Sequence, residues 1–225
     1  MNSYRNLSLI WILLAALFLA TACAERRGDP RDKGDAQTEG AEQVSENQKG
    51  CVLMVIAPRK FRDDEYRVPR KRLEKNGYTV EVASTNKTNC YGMLGMSVKP
   101  DLRLEEVDTN KYKSVIFVGG LGVQSLYGNE HAIRIAREMN EQEKIVSAIC
   151  MAPVILGEAG LLKGKSITVF KDKEEDVQKL GARLTGQDVT TDGRIVTGIG
   201  PHASGKFANA VIQAIEELDK KNKEK

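Results

Sequence analysis

The stretch IVSAICMAPVILGEAG, residues 145–160, decides the reading of this chain. Ile145 to Ile149 is a short apolar run rich in β-branched residues, the composition of a buried strand. It stops at Cys150, and a helix-like segment from Met151 to about Ala159 begins at once, closed by Gly160. A chain that passes from strand to helix without a loop holds strained backbone, and bulky neighbours would collide there. Ala148 and Ala152, two places to either side of Cys150, are small. This is the layout of a nucleophile elbow, which presents its central side chain at a crevice. Free N–H groups at the helix start would favour the thiolate. The plainer alternative is a cysteine buried as a small hydrophobe.

The same alternation runs outward from this unit. CVLMVIA (51–57) and SVIFVGG (114–120) are continuous apolar runs, as expected of strands covered on both faces. YTVEVAS (78–84) is a further strand. Asp63 or Asp64 can cap a helix that ends before Gly77, with Pro69 inside it predicting a kink or a late start. Lys87 to Leu104 reads as an irregular excursion with room for a small hairpin. Ala132, Ile135, Ala136 and Met139 mark one face of a helix. ITVF (167–170) predicts a strand and Glu174 to Leu180 a short helix. Val189 to Thr191 and Arg194 to Ile199 form a hairpin about Asp192-Gly193. Phe207, Val211, Ile215 and Leu218 stripe a last helix. Strands alternating with helices imply an α/β sandwich with a mostly parallel central sheet. Sites in such folds lie beyond the carboxyl ends of the strands, here after Ala57, Gly119, Ile149 and Ile199.

The chain has 225 residues, 41% hydrophobic and 29% charged, with a formal net charge of +3, which gives no reason to expect nucleic acid. Basic residues do crowd Lys60 to Lys75, but Asp63, Asp64, Glu65 and Glu74 lie among them, so a solvated helix face is expected. Four cysteines without a CxxC pair, and only two histidines, give no metal-ligand spacing. Gly119-Gly120-Leu121-Gly122 lacks the third glycine of a dinucleotide fingerprint, and no cofactor is expected. Cys51 and Cys90 are a conceivable disulfide outside the cytoplasm.

Arg5 precedes an apolar run too short to span a membrane, Leu9 to Ala20, which ends in small residues. That is the pattern of an export signal. Ala20-Thr21-Ala22-Cys23 resembles the lipobox of bacterial lipoproteins, with a plain signal peptide as the alternative. The resemblance implies a signal peptide over 1–22 and a lipid-modified Cys23. It further implies membrane anchoring on the exported side of the cell envelope, with the choice of inner or outer membrane open; in a two-membrane bacterium Ala24 would point to the outer one. From Ala24 to Lys49 there is no Leu, Ile, Phe, Tyr or Trp, and 12 of the 26 residues are charged. Such a stretch reads as a flexible tether, so residues 23–49 are the leash and 50–225 the folded domain.

Two further groups would share the crevice with Cys150. Gly120 N–H and Met151 N–H can form an oxyanion hole, although a glycine cluster alone is also an ordinary tight turn. Glu65 lies in the first helical turn after the first strand; a partly buried carboxyl there would stay protonated and donate a hydrogen bond to the thiolate. VLMVIAP…FRDDEY, SVIFVGGLG, IVSAICMAPVILGEAGLLKGKSITVF and VTTDGRIVTGIGP together resemble the ThiJ/PfpI family, also called the DJ-one family. The resemblance covers about Gly50 to Leu218. It implies a flavodoxin-like three-layer sandwich and a homodimer or larger homo-oligomer. It also implies a reactive Cys150, an acid at Glu65 and an oxyanion glycine at Gly120. Met151 stands where peptidase-like members carry a histidine. His202, after the last long strand, is the remaining candidate for a proton-moving imidazole, while His131 reads as solvent-facing.

Three functions follow from the resemblance. The first is a glyoxalase- or deglycase-like enzyme of small reactive carbonyls, using Cys150, Glu65 and, as an auxiliary, His202. The second is a non-catalytic oxidant-sensing or protective module that acts through oxidation of Cys150. The third is a cysteine peptidase, weakened by the missing histidine.

Overall fold

A computed structural model describes residues 48–224 of the chain. The expected signal peptide, the lipid site Cys23 and nearly all of the tether lie outside the described residues.

A seven-stranded sheet forms the centre. Its strands in chain order are β1 (Gly50–Val55), β2 (Tyr78–Ser84), β3 (Leu102–Arg103), β4 (Tyr112–Phe117), β5 (Ile145–Ile149), β6 (Val189–Asp192) and β7 (Ile195–Gly198). Across the sheet they run β6-β7-β5-β4-β1-β2-β3. All neighbouring pairs are parallel except the edge hairpin β6–β7. The apolar runs become the central strands because both faces are covered: Val52 to Val55, Val115 to Phe117 and Val146 to Ile149 are buried without exception. Helices α1 (Asp63–Lys75), α2 (Glu130–Glu141), α3 (Pro153–Glu158), α4 (Glu174–Lys179) and α5 (Ser204–Lys223) complete the alternation. The four residues predicted for the apolar face of α2 are all buried, and Asn129 caps the helix through His131 N–H and Ala132 N–H. The architecture is the flavodoxin-like α/β sandwich expected.

Several local expectations are refined. α1 starts at Asp63 and runs through Pro69, so there is no late start. Asp63 does not cap the helix; its carboxylate accepts from Leu94 N–H and Met96 N–H, each at 2.9 Å. It thereby ties α1 to a small hairpin, Cys90–Gly92 paired with Ser97–Val98, in the excursion between β2 and β3. In the β6–β7 hairpin Asp192 pairs with Ile195, so the two turn residues are Gly193 and Arg194. The register lies one residue beyond the Asp-Gly reading because the Asp192 carboxylate is engaged by Ser166 N–H (2.8 Å) and Lys165 Nζ (3.0 Å). Of the predicted ITVF strand only Ile167 is in a ladder, where Ser166–Ile167 pairs with Arg183–Leu184 outside the main sheet. Cys51 and Cys90 are free thiols.

Candidate functional site

The site is built at the carboxyl ends of β1, β4 and β5, the central strands. Cys150 follows β5 with φ +64°, a left-handed conformation that a residue with a side chain adopts at a cost of about 1–3 kcal/mol. The turn is held from both sides. Cys150 N–H donates to Gly198 O of β7 (2.8 Å), and Cys150 O accepts from Phe170 N–H (2.8 Å). The helix proper starts only at Pro153, so Cys150 precedes it by a Met151-Ala152 turn. Ala148 and Ala152 are fully buried, as the crowding at an elbow requires. Cys150 is only 6% exposed, so its sulfur is largely covered by the surrounding elements.

Glu65, in the first turn of α1, is fully buried beside this sulfur. The contact passes over Gly119. A methyl group there would lie 2.5 Å from Glu65 Oε2, 2.6 Å from Cys150 Cβ and 2.7 Å from Ile149 O. Gly120 has φ +98°, and a side chain on it would strike Arg62 N at 2.4 Å. Two consecutive glycines therefore let the end of β4 slide between the β1–α1 loop and the elbow. Arg62 N–H donates to Gly119 O (3.0 Å) and closes this contact.

The electrostatics follow from burial. Desolvation pushes the Glu65 carboxyl up to about 7, against smaller lowering effects of Cys150, Arg62 and the Gly119 amide. Desolvation and the Glu65 charge push the Cys150 thiol up to about 12, while the amides of Gly120 and Met151 favour its ionised form. The acid and thiol thus behave as one unit that loses a first proton near neutrality and resists losing the second. Neither Glu65 oxygen has a formed hydrogen bond among the described residues, although the sulfur is near enough to perturb it. The single negative charge rests mainly on the Glu65 carboxylate, which the Arg62 charge and the Gly119 amide favour, while the amides of Gly120 and Met151 favour its passage to the sulfur.

His202 is placed elsewhere. Its Nε2 lies 3.2 Å from Asp188 Oδ1, its side chain is 67% exposed, and it is not among the groups that act most strongly on Cys150. His131 sits near Glu105 and Glu130 on α2. Among the described residues no three His, Cys, Asp or Glu side chains converge as metal ligands.

Tyr127 is a site residue that sequence reasoning missed. Its hydroxyl donates to Met151 O (2.9 Å), its ring lies 5.5 Å under Lys173 Nζ, and burial, followed by the Asp176 and Cys150 charges, holds its ionisation above the usual range. Twenty-three residues separate it from Cys150, and no local pattern marks it.

This geometry can be set against known proteins. Residues 51–214 match the model of the DJ-1/PfpI family. The chain belongs to that family. An uncharacterized protein of Methanocaldococcus jannaschii is 40% identical, over 76% of this chain and 86% of that one. The deglycase PfpI of Pyrococcus furiosus is 33% identical, over 66% of this chain and 90% of that one. Among solved structures, a ThiJ/PfpI domain protein from Brachyspira murdochii superposes with a TM-score of 0.74 at 32% identity. The match covers 76% of this chain and 98% of that one.

Proposed function

We propose that the protein uses the Cys150–Glu65 pair on small reactive carbonyl compounds, in the manner of a glutathione-independent glyoxalase or a deglycase. The observation that carries this reading is a fully buried carboxyl coupled to a thiol on a left-handed elbow. The deglycase name of a relative at 33% identity supports it.

For a 2-oxoaldehyde, the sulfur of the mono-anionic pair adds to the aldehyde carbon. The carbonyl π electrons move to oxygen, where the Gly120 and Met151 N–H groups face them. The Glu65 carboxyl, which holds the pair's one proton while the sulfur attacks, gives it to that oxygen; as the carboxylate it then takes the proton from that carbon, and the freed electron pair forms an enediol with the neighbouring carbon. Return of the proton to the neighbouring carbon leaves a thioester. Water breaks the C–S bond, releases a 2-hydroxy acid and returns a proton to the pair. Methylglyoxal plus water gives lactate, with no external oxidant or reductant. The test is lactate formed from methylglyoxal without glutathione. It should vanish in Cys150→Ser; an unchanged rate there would overturn the reading.

A second reading draws on the position of His202. An acid beside the sulfur without an imidazole also suits an oxidant-responsive site, in which peroxide takes Cys150 to the sulfinic acid and Glu65 hydrogen-bonds it. Intact mass after mild peroxide should then show two added oxygens on Cys150, and a spread of oxidation over Cys51 and Cys90 would defeat it. A Bacillus subtilis relative at 30% identity, over 66% of this chain, carries a provisional cysteine-protease name. Met151 in place of an adjacent histidine makes that reading the weakest, and Cys150-dependent casein cleavage would restore it.

The proposal also takes the protein to be exported and lipid-anchored at Cys23, which rests on residues 5–23 alone. It takes the working form to be a homodimer or larger, which rests on the family resemblance. Fatty-acid labelling lost in Cys23→Ser and sedimentation of the purified domain test the two.

A further inference from the structure

The loop that carries the chain from β1 into α1 reads Pro58-Arg59-Lys60-Phe61-Arg62. It is pressed against the glycines beside the thiol: a side chain on Gly120 would meet Lys60 O at 2.6 Å, and one on Gly122 would meet Arg59 O at 1.7 Å. Lys60 has φ +54°, so the loop is held in a conformation unusual for a residue with a side chain. Phe61 alone is buried; Arg59 and Lys60 are exposed and Arg62 is partly so. Three cations therefore stand on the loop whose backbone packs against Gly120 and Gly122, next to the elbow.

The nearby acids offset them only in part. Asp63 turns away, its two oxygens taken by Leu94 N–H and Met96 N–H. Asp64 is held by Arg67 at 2.9 Å and forms a looser ion pair with Arg62 Nη2 at 3.9 Å. Arg62 Nε is buried and has no hydrogen-bond partner among the described residues. Yet the Arg62 charge reaches inward far enough to act on Glu65. Arg59 lies over the Tyr91 ring at 5.6 Å, and among the described residues no acid forms an ion pair with it. A guanidinium fork with an unused donor suits a planar anion, above all a carboxylate.

From this placement we propose that the site prefers carbonyl compounds that bear an anionic group, a carboxylate or a phosphate, next to the reacting carbon, with Arg62 as the group that receives it. The inference rests on the carbonyl-chemistry reading and names the substrate class within it. Arg59 and Lys60 raise the local concentration of such anions, an effect that salt weakens. Arg62 holds the bound anion and is the specificity-determining residue.

The test compares two alkylating reagents of nearly equal size, iodoacetate (anionic) and iodoacetamide (neutral), on the folded domain. In both, the Cys150 sulfur displaces iodide. The ratio of the two rates, divided by the same ratio for free cysteine, isolates the effect of charge. The expected ratio is about tenfold in favour of iodoacetate at low salt, the size of one partly screened ion pair. It should fall towards one in 0.5 M salt (roughly a 4 Å Debye length). Arg62→Gln should lose more of the iodoacetate rate than of the iodoacetamide rate, and Arg62→Lys should restore part of the preference. Ordinary iodoacetamide labelling with a ratio of one in the native protein overturns this inference and leaves the carbonyl reading standing. No labelling by either reagent overturns both. A ratio that survives Arg62→Gln but falls in Arg59→Gln/Lys60→Gln overturns the role given to Arg62.

Discussion

The Glu65 carboxyl and Cys150 meet over Gly119, at a spacing where one methyl group would lie 2.5 Å from the acid and 2.6 Å from the cysteine Cβ. The acid and thiol belong to α1 and to the end of β5, so only a bare backbone segment lets them approach. Gly119→Ala is therefore expected to destabilise the fold by about 1–3 kcal/mol, the range for overpacking a tight interior. It should also separate the pair. Thermal unfolding combined with Cys150 alkylation checks both, and a native-like alkylation rate at neutral pH would show that the contact is dispensable.

The pH dependence of thiol reactivity follows from the shared proton. In the native protein, alkylation of Cys150 should rise through about pH 7 as the pair loses its first proton. A further rise towards about pH 12 should follow. Glu65→Gln removes the acid that ionises near 7 and the charge that opposes the thiolate. A single midpoint between those two values is expected in its place. An unshifted profile by stopped-flow alkylation would show that the acid and thiol do not interact.

The same shift has a consequence for stability. The folded-state value of Glu65, about 7, lies above its ordinary value of 4.5. Burial thus favours the neutral acid, and its stabilising effect is complete below pH 4.5 and lost as pH rises through about 7. The loss is on the order of 3 kcal/mol. Denaturant midpoints should fall across this window in the native protein and much less in Glu65→Gln.

His202→Ala should leave Cys150 alkylation and carbonyl turnover within about threefold, because the imidazole is on the surface with Asp188. A loss of a hundredfold or more, the lower end of general acid–base catalysis, would bring His202 into the mechanism.

Tyr127→Phe removes the hydroxyl that donates to Met151 O. A loss of about 1 kcal/mol in stability is expected for one buried hydrogen bond. Carbonyl turnover should fall with little change in KM, since the Met151 N–H lies in the turn this bond steadies. A change confined to KM would place Tyr127 in substrate binding instead.

Sequence alone determined the alternation of strand and helix, because runs such as Val52 to Ala57 and the α2 stripe have only one way to bury their apolar atoms. It also determined the elbow, since Ala148, Cys150 and Ala152 are neighbours along one turn, and it placed Glu65 near the same edge of the sheet. Tertiary structure decided the rest. The roles of Gly119, Tyr127 and Arg62 depend on segments brought together across β1, β4 and β5, and no local pattern encodes such distances. Asp63 looked like a helix cap because the amides of Leu94 and Met96 are thirty residues away in the chain. His202 was left open for the same reason: the edge of a sheet is legible in sequence, but which way a side chain turns at that edge depends on partners such as Asp188 that only packing supplies.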